Sequence, residues 1–121
     1  AVSAIMDRAL TLDPDFDGGA LQSFMVTYAM ARPDPGGDRI ARAEAHFERA
    51  VALSGGQQAS PYLALAESVA IATQDRARFS SLLETALAID ADAAPQWRLS
   101  NLVMQRRARW LLGRTDELFV D

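Results

Sequence analysis

The segment Arg39-Ile-Ala-Arg-Ala-Glu-Ala-His-Phe-Glu-Arg-Ala-Val-Ala-Leu53 decides the fold of this sequence. Within it, Ala43, Phe47 and Ala50 are spaced by four and three residues, which places them on one face of a helix. The two alanines let a partner helix approach closely, and the ring of Phe47 fills the space between them. A similar ending rich in Ala, Leu and Asp returns at 9–14 and 86–91. A motif that recurs at intervals of about 40 residues is typical of stacked helix pairs.

Composition limits the class of protein. A chain of 121 residues with 50% hydrophobic residues is long enough to form one domain with a real core. The net charge of −4 argues against nucleic acid as a partner, because phosphate binding needs a basic surface. The absence of cysteine excludes disulfides and thiol catalysis. Glu67 and Arg106 interrupt the two longest apolar runs, so the sequence predicts no membrane-spanning helix.

Hydrophobic periodicity and turn residues predict an all-α protein without strands. The sequence begins inside a helix-like pattern with no signal segment, so we expect residues 1–121 to be one helical domain and a fragment that lacks upstream helices. Asp38, Ser60 and Asp75 are predicted N-terminal caps, and Gly55 is a predicted C-terminal stop. Six main helices and a short tail are expected at 1–12, 17–31, 39–54, 61–73, 76–90, 95–112 and 115–121.

The spacing of the large and small residues favours tetratricopeptide-like antiparallel hairpins. The helix at 17–31 carries an apolar stripe with the first-helix spacing of that repeat, and 39–54 carries the second-helix spacing. The stripe consists of Leu21, Phe24, Met25 and Tyr28. We expect Ala43, Ala50 and Ala86 at close helix contacts. We also expect five large side chains to be largely buried, namely Tyr28, Phe47, Leu83, Val103 and Trp110.

Two local patterns were weighed as metal sites. Asp13-Pro-Asp-Phe-Asp-Gly18 matches the first half of a calcium-binding EF-hand loop, but Phe24 stands where that loop requires Glu. His46 is the only histidine and has no partner motif for a metal site or a catalytic triad. The sequence therefore predicts no metal, no cofactor and no catalytic residues.

A third pattern is a better candidate for a site. Arg106 lies in the apolar stripe Leu99, Val103 and Trp110, and Glu67 is the single charge of another apolar helix. A buried charge needs a partner, so the two side chains are expected to form an internal ion pair. The alternative is that Arg106, together with Arg107, binds the carboxylate of an organic acid or a peptide. The candidate ligand- or partner-binding residues are Glu67, Gln74, Asn101, Gln105, Arg106 and Arg107.

Five segments in order also resemble a known family. They are Gly18-Gly-Ala-Leu21; Arg32-Pro with Gly36-Gly-Asp38; Ala45-His-Phe-Glu-Arg-Ala50; Gln74-Asp with Phe79 and Leu82-Leu83; and Asn101-Leu-Val-Met-Gln-Arg-Arg-Ala-Arg-Trp-Leu-Leu112. Together they are similar to the TatT component associated with TRAP transporters. That resemblance implies a tetratricopeptide-like protein of the bacterial periplasm. It also implies a periplasmic solute-binding protein as partner and a small organic, hydrophobic acid as a further ligand.

Two functions from different classes follow. The first is a non-catalytic accessory protein of TRAP-type solute transport. The second is a general tetratricopeptide-type scaffold that binds proteins or peptides and has no transport role. An enzyme ranks third, because no pattern in the sequence sets up a nucleophile, an acid pair or a metal cluster. A TRAP permease gene beside this gene would favour the first function, and self-association into a homo-oligomer stays open.

Overall fold

A computed structural model of the protein describes residues 8, 12, 16–31 and 38–119, with the side chains of 16–21 outside this description. Within those ranges the chain forms helices and turns and no strand, which confirms the all-α prediction. Residues 13–15 of the EF-hand-like segment and the loop at 32–37 lie outside the described residues, as does most of the helix predicted at 1–12. The helices are α1 (Phe16–Ala31), α2 (Arg39–Ser54), α3 (Ser60–Leu65, continued by a π-helical turn at Ala66–Ala70), α4 (Arg76–Ala88), α5 (Arg98–Gly113) and α6 (Thr115–Leu118).

Most helix boundaries are fixed by the residues that the sequence indicates. The Asp38 side chain accepts a hydrogen bond from the Ala41 N–H at 3.0 Å and caps α2. Asp75 caps α4 in the same way, through the Arg78 N–H at 3.1 Å. Gly55 ends α2 in the left-handed conformation with φ of 64°. The cap predicted at Ser60 is wrong, because Ala59 takes that position and no side chain caps α3 locally.

Consecutive helices pack as hairpins, and the hairpins stack. α1 packs on α2, α3 with its π turn packs on α4, and α5 packs on the short α6. The first helices of successive hairpins are neighbours, since α3 contacts both α1 and α5. This arrangement confirms the tetratricopeptide-like stack. It also places α1, α3 and α5 side by side along one surface.

The core lies between the hairpins and depends on small side chains at the helix crossings. Ala43, Ala50 and Ala86 are completely buried, as predicted. Leu83 is also buried, but Tyr28 and Phe47 are only partly buried. Phe47 meets Tyr62 of α3 edge to face, with ring centroids 5.5 Å apart, and so links α2 to α3.

The predicted burial of Val103 and Trp110 is wrong. Their side chains are 52% and 53% exposed. The buried face of α5 is instead made by Asn101, Gln105, Ala108 and Leu111. Two of those four residues are polar amides, which the sequence pattern assigns to solvent. The true inner face therefore lies on the opposite side of the helix from the apolar stripe that contains Arg106.

Candidate functional site

The first helices of the three hairpins, α1, α3 and α5, form an open groove. Its cavity has a volume of about 340 Å³. Its wall is mixed, with hydroxyl groups from α1 and α3, apolar side chains from all three helices, and a charged pair at one rim. The lining residues are Ser23, Phe24 and Thr27 of α1, Ser60, Leu63, Ala64 and Glu67 of α3, and Met104 and Arg107 of α5. This surface is called the groove below.

The charged pair at the rim is Glu67 with Arg107. The Nε of Arg107 donates to Oε1 of Glu67 at 2.9 Å, and its second terminal nitrogen, Nη2, donates to the same oxygen. The pair is partly solvated, with side-chain exposures of 49% for Arg107 and 30% for Glu67. The hydrogen bonds that Arg107 donates to Glu67, aided by the negative charge of Glu67, raise the pKa of Arg107. Arg107 therefore keeps its charge, and its Nη1 group makes no hydrogen bond among the described residues.

The expected partnership of Glu67 with Arg106 is wrong by one residue. Arg106 is exposed and makes no ion pair within the described part of the chain. One residue changes the direction of a helical side chain by about 100°, so Arg107 points to the side where α3 lies and Arg106 points away from it. The expectation that the helices of these two residues are neighbours is correct, because α3 contacts α5.

A π-helical turn holds Glu67. The Ile71 N–H bonds to the Ala66 carbonyl, five residues back, instead of the usual four. Two hydroxyl groups add hydrogen bonds to carbonyls around this turn. Ser68 donates to the Ala64 carbonyl, and Thr73 donates to that of Val69, which also accepts from the Thr73 N–H. Such turns are frequent at functional sites. No sequence signal for the π turn was recognised, although the closely spaced Ser68 and Thr73 are consistent with one.

Asn101 and Gln105 are structural residues in this fold. The Oδ1 of Asn101 accepts from the Ala59 N–H at 2.9 Å, and its Nδ2 donates to the Gln57 carbonyl at 2.7 Å. The Nε2 of Gln105 donates to the carbonyls of Ala86 and Ile89, at 3.1 and 2.7 Å. Both amides thus satisfy backbone groups at helix ends that would otherwise be buried without partners. Both polar atoms of Asn101 and the Nε2 of Gln105 thus bind the backbone, and neither residue is among those that line the groove.

Gln74 has a third structural role. It follows the last turn of α3 with φ of 56°, a left-handed conformation that is uncommon for a residue with a side chain. Its Nε2 donates to the carbonyls of Ile71 at 2.9 Å and Leu118 at 3.3 Å. Gln74 therefore joins the end of α3 to the C-terminal segment, and it is not among the residues that line the groove.

The solvent-facing side of α5 forms a second surface. Its apolar pattern in the sequence had predicted that Val103 and Trp110 would be buried. Its members share one helical face and are called the outer face below: Leu99, Leu102, Val103, Arg106 and Trp110. Trp110 makes cation–π contacts with two arginines. The guanidinium carbons of Arg107 and Arg114 lie 5.7 and 4.8 Å from its ring centroid. A depression of about 410 Å³ lies between Val103, Met104, Arg106, Arg107 and Trp110.

Other polar contacts stabilise the hairpins. Arg78 of α4 binds both carboxylate oxygens of Glu44 of α2, with one N–O distance of 2.8 Å, and this hydrogen bonding raises the pKa of Arg78. The Nδ1 of His46 donates to Gln22 Oε1 at 2.6 Å and joins α2 to α1. Burial raises the pKa of Tyr62.

Comparison with known proteins adds the family. The model of the TRAP transporter T-component family matches residues 1–119. The chain belongs to this family. The match confirms the resemblance drawn from the five sequence segments, and it covers both the groove and the outer face. Family membership supports an accessory role in solute transport, and T-components are not known as catalytic subunits.

One curated relative aligns with the whole chain. It is a protein of Treponema pallidum (strain Nichols) described as an uncharacterized protein, 28% identical over 121 residues. The alignment covers 100% of this chain but 38% of the relative. The chain thus spans well under half the length of that relative. Among the described residues, no helix combines the length and the apolar character needed to cross a bilayer.

Proposed function

We propose that the full-length protein is a non-catalytic accessory component of a TRAP transport system. In this role it binds the periplasmic solute receptor of that system, and its groove holds the small organic acid that is transported. The observation that carries the proposal is the groove itself. In a chain of the T-component family, α1, α3 and α5 together form a groove with apolar walls and with Arg107 at its rim. Nothing in this role requires a reactive side chain.

The groove suits a molecule with an apolar body and a carboxylate. Phe24, which is half exposed, and Met104, which is partly exposed, supply apolar surface for the body of the ligand. The guanidinium of Arg107 is held by Glu67 through Nε and Nη2, so its Nη1 edge is left to bind a carboxylate. Arg106 lies next to Arg107 and adds a charge that no described carboxylate neutralises. A volume of about 340 Å³ falls at the lower end of typical small-molecule sites.

Receptor binding is tested by calorimetric titration of the full-length protein with the solute receptor encoded beside it. We expect a saturable complex between the two purified proteins. Absence of heat and of co-elution at concentrations well above those of typical transient complexes would contradict the accessory role. It would favour the general scaffold, for which a panel of unrelated peptides should then bind in the groove.

Ligand binding is tested separately, with octanoate as the acid and octanol as its uncharged control. Octanoate should raise the melting temperature of the full-length protein, and octanol should raise it less, because only the acid contacts the arginine rim. Arg107→Gln should remove the difference between the two probes, whereas Arg42→Gln on the exposed side of α2 should preserve it. Equal increases in the melting temperature of the wild type with octanoate and octanol would show that the arginine rim does not bind the carboxylate.

A further inference from the structure

The outer face of α5 combines exposed apolar side chains with the positive charge of Arg106, for which the described part of the chain provides no ion-pair partner. Leu99 is 74% exposed, and Val103 and Trp110 are each more than half exposed. Clusters of this kind on a soluble protein mark interaction sites more often than chance. The face is distinct from the groove, because the residues of the groove on α5 are Met104 and Arg107, which form the border between the two surfaces.

The charge of this face has one sign. Residues 98–114 contain five arginines and no acidic residue, so all sixteen acidic residues lie elsewhere, with the other seven arginines. Three of the five are neutralised, Arg98 by Asp92, Arg107 by Glu67 and Arg114 by Glu117. Arg106 and Arg109 make no ion pair within the described residues. Arg106 lies within the apolar stripe and Arg109 lies at its border, and both attract carboxylates.

The shape of the face fits an elongated partner. Its residues follow the spacing of one helix side from Leu99 to Trp110, a length of about 16 Å at the rise of an α-helix. A helix that lies along such a ridge makes contact through three turns, with anchors at every third or fourth residue. Tryptophan and arginine are the residues that most often dominate the energy of such contacts. The two arginines over Trp110 also limit the orientations of its ring.

We propose that the outer face binds an amphipathic helix of another protein, with apolar residues along its centre and carboxylates along its edges. The carboxylates pair with Arg106 and Arg109, and the apolar residues cover Val103, Leu102 and Trp110. This proposal goes beyond the accessory role, because it holds whether or not the partner is the solute receptor. It assigns to α5 two surfaces with separate tasks, one for a small acid and one for a helix.

The test uses the full-length protein and two labelled helical peptides of sixteen residues. Both carry the same leucine stripe, and one has glutamates where the other has lysines. Fluorescence anisotropy should show that the glutamate peptide binds at least tenfold more tightly than the lysine peptide. Arg106→Glu should weaken the glutamate peptide about tenfold, which corresponds to about 1.4 kcal/mol. Arg42→Glu makes the same change in net charge on α2 and should alter binding by less than about twofold, since exposed charges far from a contact act weakly.

A second variant covers the apolar part of the face. Val103→Glu should abolish binding of the glutamate peptide while the circular dichroism spectrum and melting temperature stay near those of the wild type. Three results would overturn the proposal: no binding of the glutamate peptide to the wild type, binding that neither variant weakens, or sedimentation showing that the face joins two copies of this protein. Failure of receptor binding with intact peptide binding would contradict the accessory role and leave this proposal standing.

Discussion

Phe79 connects α4 to the segment that follows α6. It is completely buried, and its ring meets that of Phe119 edge to face with centroids 4.9 Å apart. The tetratricopeptide pattern usually has alanine at this position, so the large ring fills space that a closer helix would otherwise take. Phe119, which follows α6, supplies the other half of the contact. Packing here therefore depends on a segment beyond the repeat pattern.

Phe79→Ala should lower the free energy of unfolding by about 3–5 kcal/mol, the range for removal of a buried aromatic ring. The loss includes the cavity and the release of Phe119 from its ring contact. Urea unfolding followed by circular dichroism measures the change. Leu99→Ala is the control, since Leu99 is exposed and its truncation should change stability by less than about 0.5 kcal/mol. Equal effects of the two changes would disprove the assignment of Phe79 to the core.

Tyr62 gives the fold a dependence on alkaline pH. Burial raises the pKa of its phenol, so the unfolded chain loses this proton at lower pH than the folded protein does. The folded state then holds more protons, and the free energy of unfolding falls as the pH rises from about 10 through the folded pKa. Tyr62→Phe should show a smaller loss of stability between pH 8 and pH 10.5 than the wild type. Urea midpoints at the two pH values provide the comparison, and an identical loss in both proteins would exclude this role of Tyr62.

Helix α5 shows why an element can be predicted while its orientation cannot. The existence and approximate bounds of the helices follow from local signals such as Asp38, Asp75 and Gly55, whose caps need only neighbouring residues. The inner side of α5 depends on distant backbone groups, since Asn101 and Gln105 bind carbonyl and N–H groups of other segments. Polarity alone predicts that those amides face water, and this mistake turns the predicted orientation of α5 about its axis. For the same reason Glu67 was matched to Arg106 instead of Arg107.

The interaction of Glu67 with Arg107 should appear in a double-mutant cycle. Glu67→Gln and Arg107→Gln should show a coupling energy of about 0.2–1 kcal/mol, a modest value because both groups are partly solvated. The cycle of Glu67→Gln with Arg106→Gln is the matched control and should be additive. Both cycles are read from urea unfolding at low salt. Coupling in the Arg106 cycle alone would restore the pairing that the sequence suggested.

The tie between α5 and the start of α3 has a measurable strength. Asn101→Ala leaves the Ala59 N–H and the Gln57 carbonyl without their partner in a largely buried site. We expect a loss of about 1–3 kcal/mol, the cost of an unsatisfied buried polar group. Hydrogen exchange should also become faster at Ala59. A neutral effect on both measurements would show that water replaces the amide without cost.

The whole molecule is a stack in which each hairpin contributes one helix to a common surface. Membership of the T-component family and the order of the hairpins were both accessible from the sequence, because repeat spacing and segment order survive when individual positions change. The groove was only partly accessible. Its walls come from α1, α3 and α5 together, and residues such as Ser23 and Met104 carry no local sign of their location.

The separation of charge along the chain affects how the molecule meets its partners in time. Five arginines and no acidic residue lie between residues 98 and 114, while the rest of the sequence carries sixteen acidic residues and seven arginines, so we expect the electrostatic potential to be more positive at α5 than at the other helices. Electrostatic attraction between a negatively charged partner and α5 should orient the two molecules during approach so that α5 faces the partner. Collisions in other orientations then become less frequent. Encounter with such a partner should be fastest in dilute buffer and slow down steeply as salt is added, whereas dissociation should barely respond.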